Sequence, residues 1–213
     1  MNKPLQCGII GYGYMGEIRH RILRSHPNLE LLMVCETNPE RIEKDYNFAV
    51  VKEPEEVIDS RVDVVFVCTP NNLIPDLAVK SLESGKHVFC EKPPGRTLSD
   101  IVRIMNAEKG NPETKLMFGF NHRYHPGVMK AKAFVDSGRM GKVIALRGLY
   151  GKSGGNNFSK SWRNDFETSG GGILLDQGIH MLDLFNFFLG EFTSVKSFLS
   201  NSQWGFDVED NAV

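Results

Sequence analysis

The chain has 213 residues, 41% of them hydrophobic and 24% charged, which excludes a disordered chain and leaves enough length for one full core and part of another. Its formal net charge is −1 with the basic residues scattered, so it lacks the electrostatic footprint of a nucleic-acid or anionic-membrane binder, and a small-molecule ligand is expected. Met1-Asn2-Lys3-Pro4 leads straight into a strand-like run without an apolar leader, and no apolar run reaches the length of a membrane span, so a cytoplasmic protein is expected.

The first apolar run, 5–10, is followed by Gly11-Tyr12-Gly13-Tyr14-Met15-Gly16 at the start of a helix expected over 15–25. A GxGxxG motif in that context is a dinucleotide fingerprint. The first glycine permits a tight turn, the second lets the backbone approach a pyrophosphate, and the third allows close packing of helix on strand. A second run, 29–35, ends at Glu36, about 20 residues beyond the fingerprint, where a carboxylate accepts hydrogen bonds from a ribose diol. A carboxylate there repels a 2′-phosphate, so NAD is favoured over NADP, although Asn38 or Arg41 could partly accommodate one. The alternative for Glu36 is a solvated residue at a strand end.

Asn38-Pro39 places a cap before proline and predicts a helix over 39–46; another is expected over 54–59. The run 63–68 predicts a strand, and Thr69-Pro70-Asn71-Asn72 follows it at the carboxyl edge where open α/β sheets bind ligands. Those residues also suit a plain turn. A helix over 72–84, a strand over 87–90 and a helix over 97–109 complete the pattern, the last opening on a Thr97-Leu98-Ser99-Asp100 capping box. Short apolar runs alternating with helices predict a doubly wound parallel sheet, a Rossmann domain over residues 1–120.

Glu91-Lys92-Pro93-Pro94 follows strand 87–90, again at the carboxyl edge. Removing hydride from an alcohol requires a group to take the hydroxyl proton, and a lysine can do so when burial or a nearby cation lowers its pKa. Cys7, Cys35, Cys68 and Cys90 fall within or at the ends of β-type runs, not at zinc-ligand or CxxC spacing, and are expected to be reduced core fillers.

After Leu116-Met117-Phe118-Gly119-Phe120 the pattern changes to a helix over 126–137, a strand over 142–149, a polar loop, a helix over 177–189 and strands over 193–199 and at the C-terminal end. A second, α+β domain is expected over 121–213. The stretch from Gly151 to Gly170 is rich in Gly, Ser and Asn, and a loop of that length is a candidate substrate loop. Gly170-Gly171-Gly172 is expected to allow close approach of backbone to a ligand. Asp176 and His180 are four apart, so on a continuous helix both project to one side, where a histidine can exchange a proton and a carboxylate can orient it or bind a hydroxyl. A capping aspartate and a packed histidine are the alternative. His87, His122 and His125 lack an accompanying acid at ligand spacing, and no metal is expected.

These motifs together resemble the glucose-fructose oxidoreductase, inositol dehydrogenase and rhizopine catabolism family of nicotinamide oxidoreductases. The resemblance rests on Gly11 to Gly16, Thr69-Pro70-Asn71, Glu91-Lys92-Pro93, Asn121-His122-Arg123, and Gly170-Gly171-Gly172 through Asp176 to His180. It implies an N-terminal Rossmann domain that holds the nicotinamide cofactor, with Glu91 and Lys92 beside it. It also implies a C-terminal domain, built on a large open sheet, that mediates homo-oligomerisation, and a carbohydrate-like substrate. Lys92 and His180 are then the acid/base candidates and Asp176 binds or orients substrate. Asn121, Arg123, Trp162 and Arg163 would line the substrate side, although Asn121 and Arg123 could equally hold a turn and Trp162 could anchor its loop. Family members are longer, so a second sheet lacking strands, which would favour association, is expected.

The reading expected is an NAD-dependent dehydrogenase of a secondary hydroxyl on a sugar, sugar nucleotide or cyclitol. A redox-assisted glycosidase of the same family and a non-catalytic dinucleotide-binding module are the alternatives.

Overall fold

The structure, a computed structural model, describes residues 3–42, 47–154 and 158–213. The chain divides into two compact units, Met1–Gly119 and Phe120–Val213.

In the first unit, strands β1 (Leu5–Ile10), β2 (Leu29–Cys35), β3 (Ala49–Val51), β4 (Val64–Val67), β5 (His87–Cys90) and β6 (Leu116–Phe118) form one sheet in the order β3-β2-β1-β4-β5-β6. Every pairing is parallel. Helices α1 (Tyr14–Ser25), α2 (Pro54–Ile58), α3 (Ile74–Glu83) and α4 (Leu98–Gly110) make the connections. Side chains alternate along each strand between two clusters. Ile10, Val65, Val67 and Val88 pack with Ile58, Ile74, Leu82 and Ile104, whereas Cys7, Ile9 and Val34 pack with Leu23 and Tyr12. A sheet covered on both faces needs apolar residues at consecutive positions, and that is why its strands read as unbroken apolar runs. The order reverses between β1 and β4, and such a switch point opens a crevice at the carboxyl ends of the strands.

The expected start of α4 is present: Thr97 Oγ1 accepts from the Asp100 N–H, and Asp100 Oδ2 accepts from the Thr97 N–H. Two strands, β3 and β6, are added to those expected, because three residues on a sheet edge carry too little pattern, and one expectation in this unit is corrected. The helix expected over 39–46 is a short 3-10 turn, Pro39–Arg41, capped by the Asn38 side chain; residues 43–46 lie outside the described ones.

The second unit contains a 3-10 turn at Asn121–Tyr124, helix α5 (Pro126–Asp136), 3-10 turns at Phe158–Lys160 and Trp162–Asn164, and helix α6 (Phe166–Ser169). A π-helical turn, Leu174–Gly178, runs into α7 (Ile179–Leu189), and β7 (Leu199–Ser200) pairs antiparallel with β8 (Asn211–Ala212). The strand expected over 142–149 is not formed, and that over 193–199 is reduced to its end. A strand exists only where a neighbour completes its hydrogen bonds; Ile144 and Leu149 are 93% and 96% exposed, whereas Phe198, just ahead of β7, exchanges both backbone bonds with Val213. Much of the stretch expected to be loop between Gly151 and Gly170 is wound into short helical turns. Among the described residues no helix is long and apolar enough to cross a membrane.

Candidate active site

The glycine turn follows β1 directly. Gly11 has φ +91°, and a Cβ there would sit 2.8 Å from the Cys68 carbonyl oxygen at the end of β4, so both conformation and space call for glycine. A Cβ on Gly16 would run into the Gly11 carbonyl oxygen, while one on Gly13, the N-cap of α1, would meet nothing within 4 Å. Two glycines are therefore required by packing and the middle one faces open space at a helix N-terminus, a cradle suited to a pyrophosphate. Tyr12 is buried, and its hydroxyl lies 2.6 Å from His20 Nδ1, tying the turn to α1. Tyr14 is exposed and Met15 is partly buried.

Gly16→Ala is expected to destabilise the fold by about 1–3 kcal/mol through overpacking. Gly13→Ala is expected to leave the melting temperature unchanged but weaken NADH binding by about 10- to 100-fold, because its methyl group fills the open space and pushes the pyrophosphate off the backbone N–H donors, at a cost of about one charge-assisted hydrogen bond. Thermal melting together with NADH titration checks both, and an unchanged affinity for Gly13→Ala would remove the phosphate from this turn.

Glu36 is buried at the end of β2. Its Oε2 accepts from the Tyr12 N–H at 2.9 Å and its Oε1 from the Asn38 N–H at 2.9 Å. It thus ties the glycine turn to β2; Oε1 also accepts from the Thr37 hydroxyl at 3.3 Å, and Oε2 keeps a lone pair for a further donor. Beyond β4, Asn71 is buried and Pro70 partly so. The Thr69 Oγ1 and Asn72 Oδ1 atoms are buried without a hydrogen-bond partner among the described residues. Orphaned polar atoms beside an open cradle at the carboxyl edge are what a bound dinucleotide would complete, so these residues fit NAD.

Glu91 and Lys92 continue the chain from β5. Glu91 is buried and its Oε1 accepts from Arg19 Nε at 2.8 Å and Nη2 at 2.5 Å. Arg19, on α1, also lies 4.5 Å from the centre of the Phe89 ring. The Glu91 N–H donates to the Val67 carbonyl, and Gly119 has no room for a Cβ beside Glu91 Oε2. Instead of facing the cofactor region freely, Glu91 is fixed by an arginine, and it anchors the residue that follows. Lys92 is partly buried and joins the buried Pro93 through a cis peptide bond. Burial raises the thiols of Cys7 and Cys35 to about 11 and those of Cys68 and Cys90 further, so none supplies a thiolate near neutral pH.

The second unit carries the remaining candidates. Asp176 lies in the π turn, where its carboxylate accepts from Lys152 Nζ at 3.2 Å, Arg163 Nε at 3.3 Å and Gln177 Nε2 at 2.8 Å. Arg163 stacks over the Trp162 ring at 4.4 Å. The continuous α-helix expected through Asp176 and His180 is replaced by a π turn, and such turns are frequent at functional sites. The wider turn is accommodated where Glu209 takes the preceding N–H groups: its carboxylate accepts from Gly172 at 2.8 Å and Leu174 at 3.0 Å, and its carbonyl from Ile173 at 2.9 Å. A Cβ on Gly172 would overlap the Glu209 carbonyl, so that glycine admits protein backbone and not, as expected, a ligand.

His180 is buried on α7, stacked on His122 with ring centres 4.0 Å apart and planes at 16°, with Phe120 and Tyr150 beside it. Arg123 is committed to Asp183 of α7, at 2.8 Å and 2.5 Å, which raises the arginine pKa; Asn121 is exposed. Sequence reasoning missed Lys152, Tyr150 and Glu209, and gave His122 too little weight, because nothing local in the sequence ties them to Asp176 or His180. Among the described residues no group of three or more His, Cys, Asp or Glu side chains gathers as for a metal.

Comparison with known proteins agrees with this geometry. A family described as an oxidoreductase family with an NAD-binding Rossmann fold matches residues 5–120, and the GFO/IDH/MocA C-terminal domain matches 128–213. The chain is 30% identical to levoglucosan dehydrogenase of Pseudarthrobacter phenanthrenivorans, covering 93% of this chain and 54% of that protein. It is also 30% identical to myo-inositol 2-dehydrogenase of Thermotoga maritima, covering 88% and 55%. A solved levoglucosan dehydrogenase in complex with NADH superposes with a TM-score of 0.90 at 29% identity, covering 99% of this chain and 62% of that one. The chain thus spans about half the length of the curated relatives it matches.

Proposed function

The chain belongs to the GFO/IDH/MocA family of NAD-binding oxidoreductases, and on that premise we propose that it oxidises a secondary hydroxyl of a sugar, sugar nucleotide or cyclitol. The observation that carries this reading is the placement of Lys92 at the carboxyl end of β5, on the sheet edge that also bears the glycine turn, Glu36 and Thr69. What NAD supplies when bound is the hydride acceptor. Gly13 and the first turn of α1 hold the pyrophosphate, and Glu36 accepts from the adenosine ribose while bracing Tyr12. Lys92, or His180 of the second unit, takes the hydroxyl proton as the carbon becomes a ketone, and Asp176 orients the hydroxyls. In this reading residues 1–120 are the cofactor domain and 121–213 the substrate domain.

The test is NADH formation by the purified protein with levoglucosan, myo-inositol and a methyl glucoside, repeated with NADP and with Glu36→Ala. The variant is expected to lose about 1.5–3 kcal/mol of NAD affinity, the worth of a charge-assisted hydrogen bond, and much of its discrimination against NADP. An unchanged NAD-to-NADP ratio would leave Glu36 only its bond to the glycine turn, and absence of NADH with every polyol would overturn the proposed reaction.

A further inference from the structure

The second unit holds a cavity of about 510 Å³, within the roughly 300–1,000 Å³ range of small-molecule sites. It has two chemically different walls. One carries Asp176 with Lys152 and Arg163, and the other is aromatic, built by Phe158, Trp204 and Phe206. The Trp204 and Phe206 rings are parallel within 4° at 6.3 Å, and Phe158 stands edge-on to Trp204 at 5.2 Å. The loop that carries Trp204 is held by Asp210, which also lines the cavity. Asp210 accepts from the backbone N–H groups of Ser202, Gln203 and Trp204, at 3.1, 2.7 and 2.8 Å. Trp204 nevertheless remains 44% exposed, so it offers a ring that the fold itself does not cover.

We infer that this cavity is a ring-binding subsite in which the aromatic wall, Trp204 above all, takes the C–H face of a cyclic polyol while Asp176, Lys152 and Arg163 take its hydroxyls. The inference rests on the proposed dehydrogenase reading and adds the residues that select the ring. A cyclic polyol presents axial or ring C–H bonds on one face and hydroxyls around its rim. The negative quadrupole of an indole face attracts the partly positive C–H groups, whereas a mixed set of donors and an acceptor satisfies hydroxyls that both donate and accept. An acyclic polyol offers no such flat face, so selectivity for rings over chains follows from the wall.

Two variants test it, Trp204→Ala, which removes the face, and Trp204→Tyr, which keeps one. With whichever of levoglucosan, myo-inositol or methyl glucoside supports NADH formation, Trp204→Ala is expected to raise KM by about tenfold with kcat within a few-fold, and Trp204→Tyr to recover most of the loss. A second readout needs no turnover. Each of the three polyols is titrated against tryptophan fluorescence, and a saturable change should appear in the wild type and vanish in Trp204→Ala, while sorbitol, the open-chain control, produces none. An unchanged KM in Trp204→Ala, no fluorescence response to any of the three rings, or an equal response to sorbitol would overturn the inference. Fluorescence saturation without NADH formation would instead retain the subsite and remove the dehydrogenase reading, so the two failures are distinct.

Discussion

Lys92→Ala is expected to slow hydride transfer by about 10²- to 10⁴-fold, the usual contribution of a general base, while NADH affinity stays near that of the wild type. The reason is positional. Lys92 follows β5, one strand beyond β4, whereas the pyrophosphate cradle lies between β1 and α1. Removing the amine therefore takes away a proton acceptor without disturbing the anion site. Single-turnover reduction of NAD, measured with equilibrium binding of NADH, separates the two effects. Transfer within a few-fold of the wild type would exclude Lys92 as the base and leave His180 as the candidate.

Glu91→Ala is expected to produce the largest loss of stability, about 3–5 kcal/mol, because it leaves the Arg19 guanidinium largely buried beside an apolar strand without its counter-ion. The side chains of this pair are only 15% and 9% exposed, in contrast to Lys80 and Glu55 at 54% and 51%. An exposed pair of that kind contributes about 0–1 kcal/mol, so Glu55→Ala is a suitable control. Against a domain stability of roughly 5–15 kcal/mol, the Glu91 effect should appear plainly in urea unfolding. The double variant Arg19→Met/Glu91→Leu should recover much of the loss, since two apolar side chains need no pairing. A Glu91→Ala midpoint equal to that of the Glu55 control would mean that the pair contributes no more than a surface contact.

The parts of the molecule visible in the sequence are those set by near neighbours. Gly11, Gly13 and Gly16 act within one turn, the Thr97 box spans one helical turn, and the buried strands declare themselves as apolar runs. The NAD fingerprint and the parallel sheet were legible for that reason. What stayed hidden depends on contacts between distant segments. Ala49–Val51 becomes a strand only because β2 lies beside it. Residues 142–149 have a strand-like composition, but among the described residues no strand pairs with them, and Gly148 meets Met181 and Phe185 of α7 instead. The partners of Asp176 come from Lys152 and Arg163, and His180 finds its stacking partner at His122. None of these follows from periodicity, which reports which face of an element is apolar but not what meets that face.

The bonds from Glu209 to Gly172 and Leu174 span 37 and 35 residues. The turn that carries Asp176 has a local bond of its own, from Asp176 N–H to the Gly172 carbonyl, but gains its Glu209 bonds only on closure of a long loop, whose entropic cost grows with its length. During synthesis the glycine turn can settle as soon as the early strands have emerged, whereas the Asp176 turn lacks its Glu209 bonds until Glu209 leaves the ribosome. The glycine turn would thus form before the turn that carries Asp176, and on the proposed reading a nascent chain could hold cofactor before it could position a substrate hydroxyl.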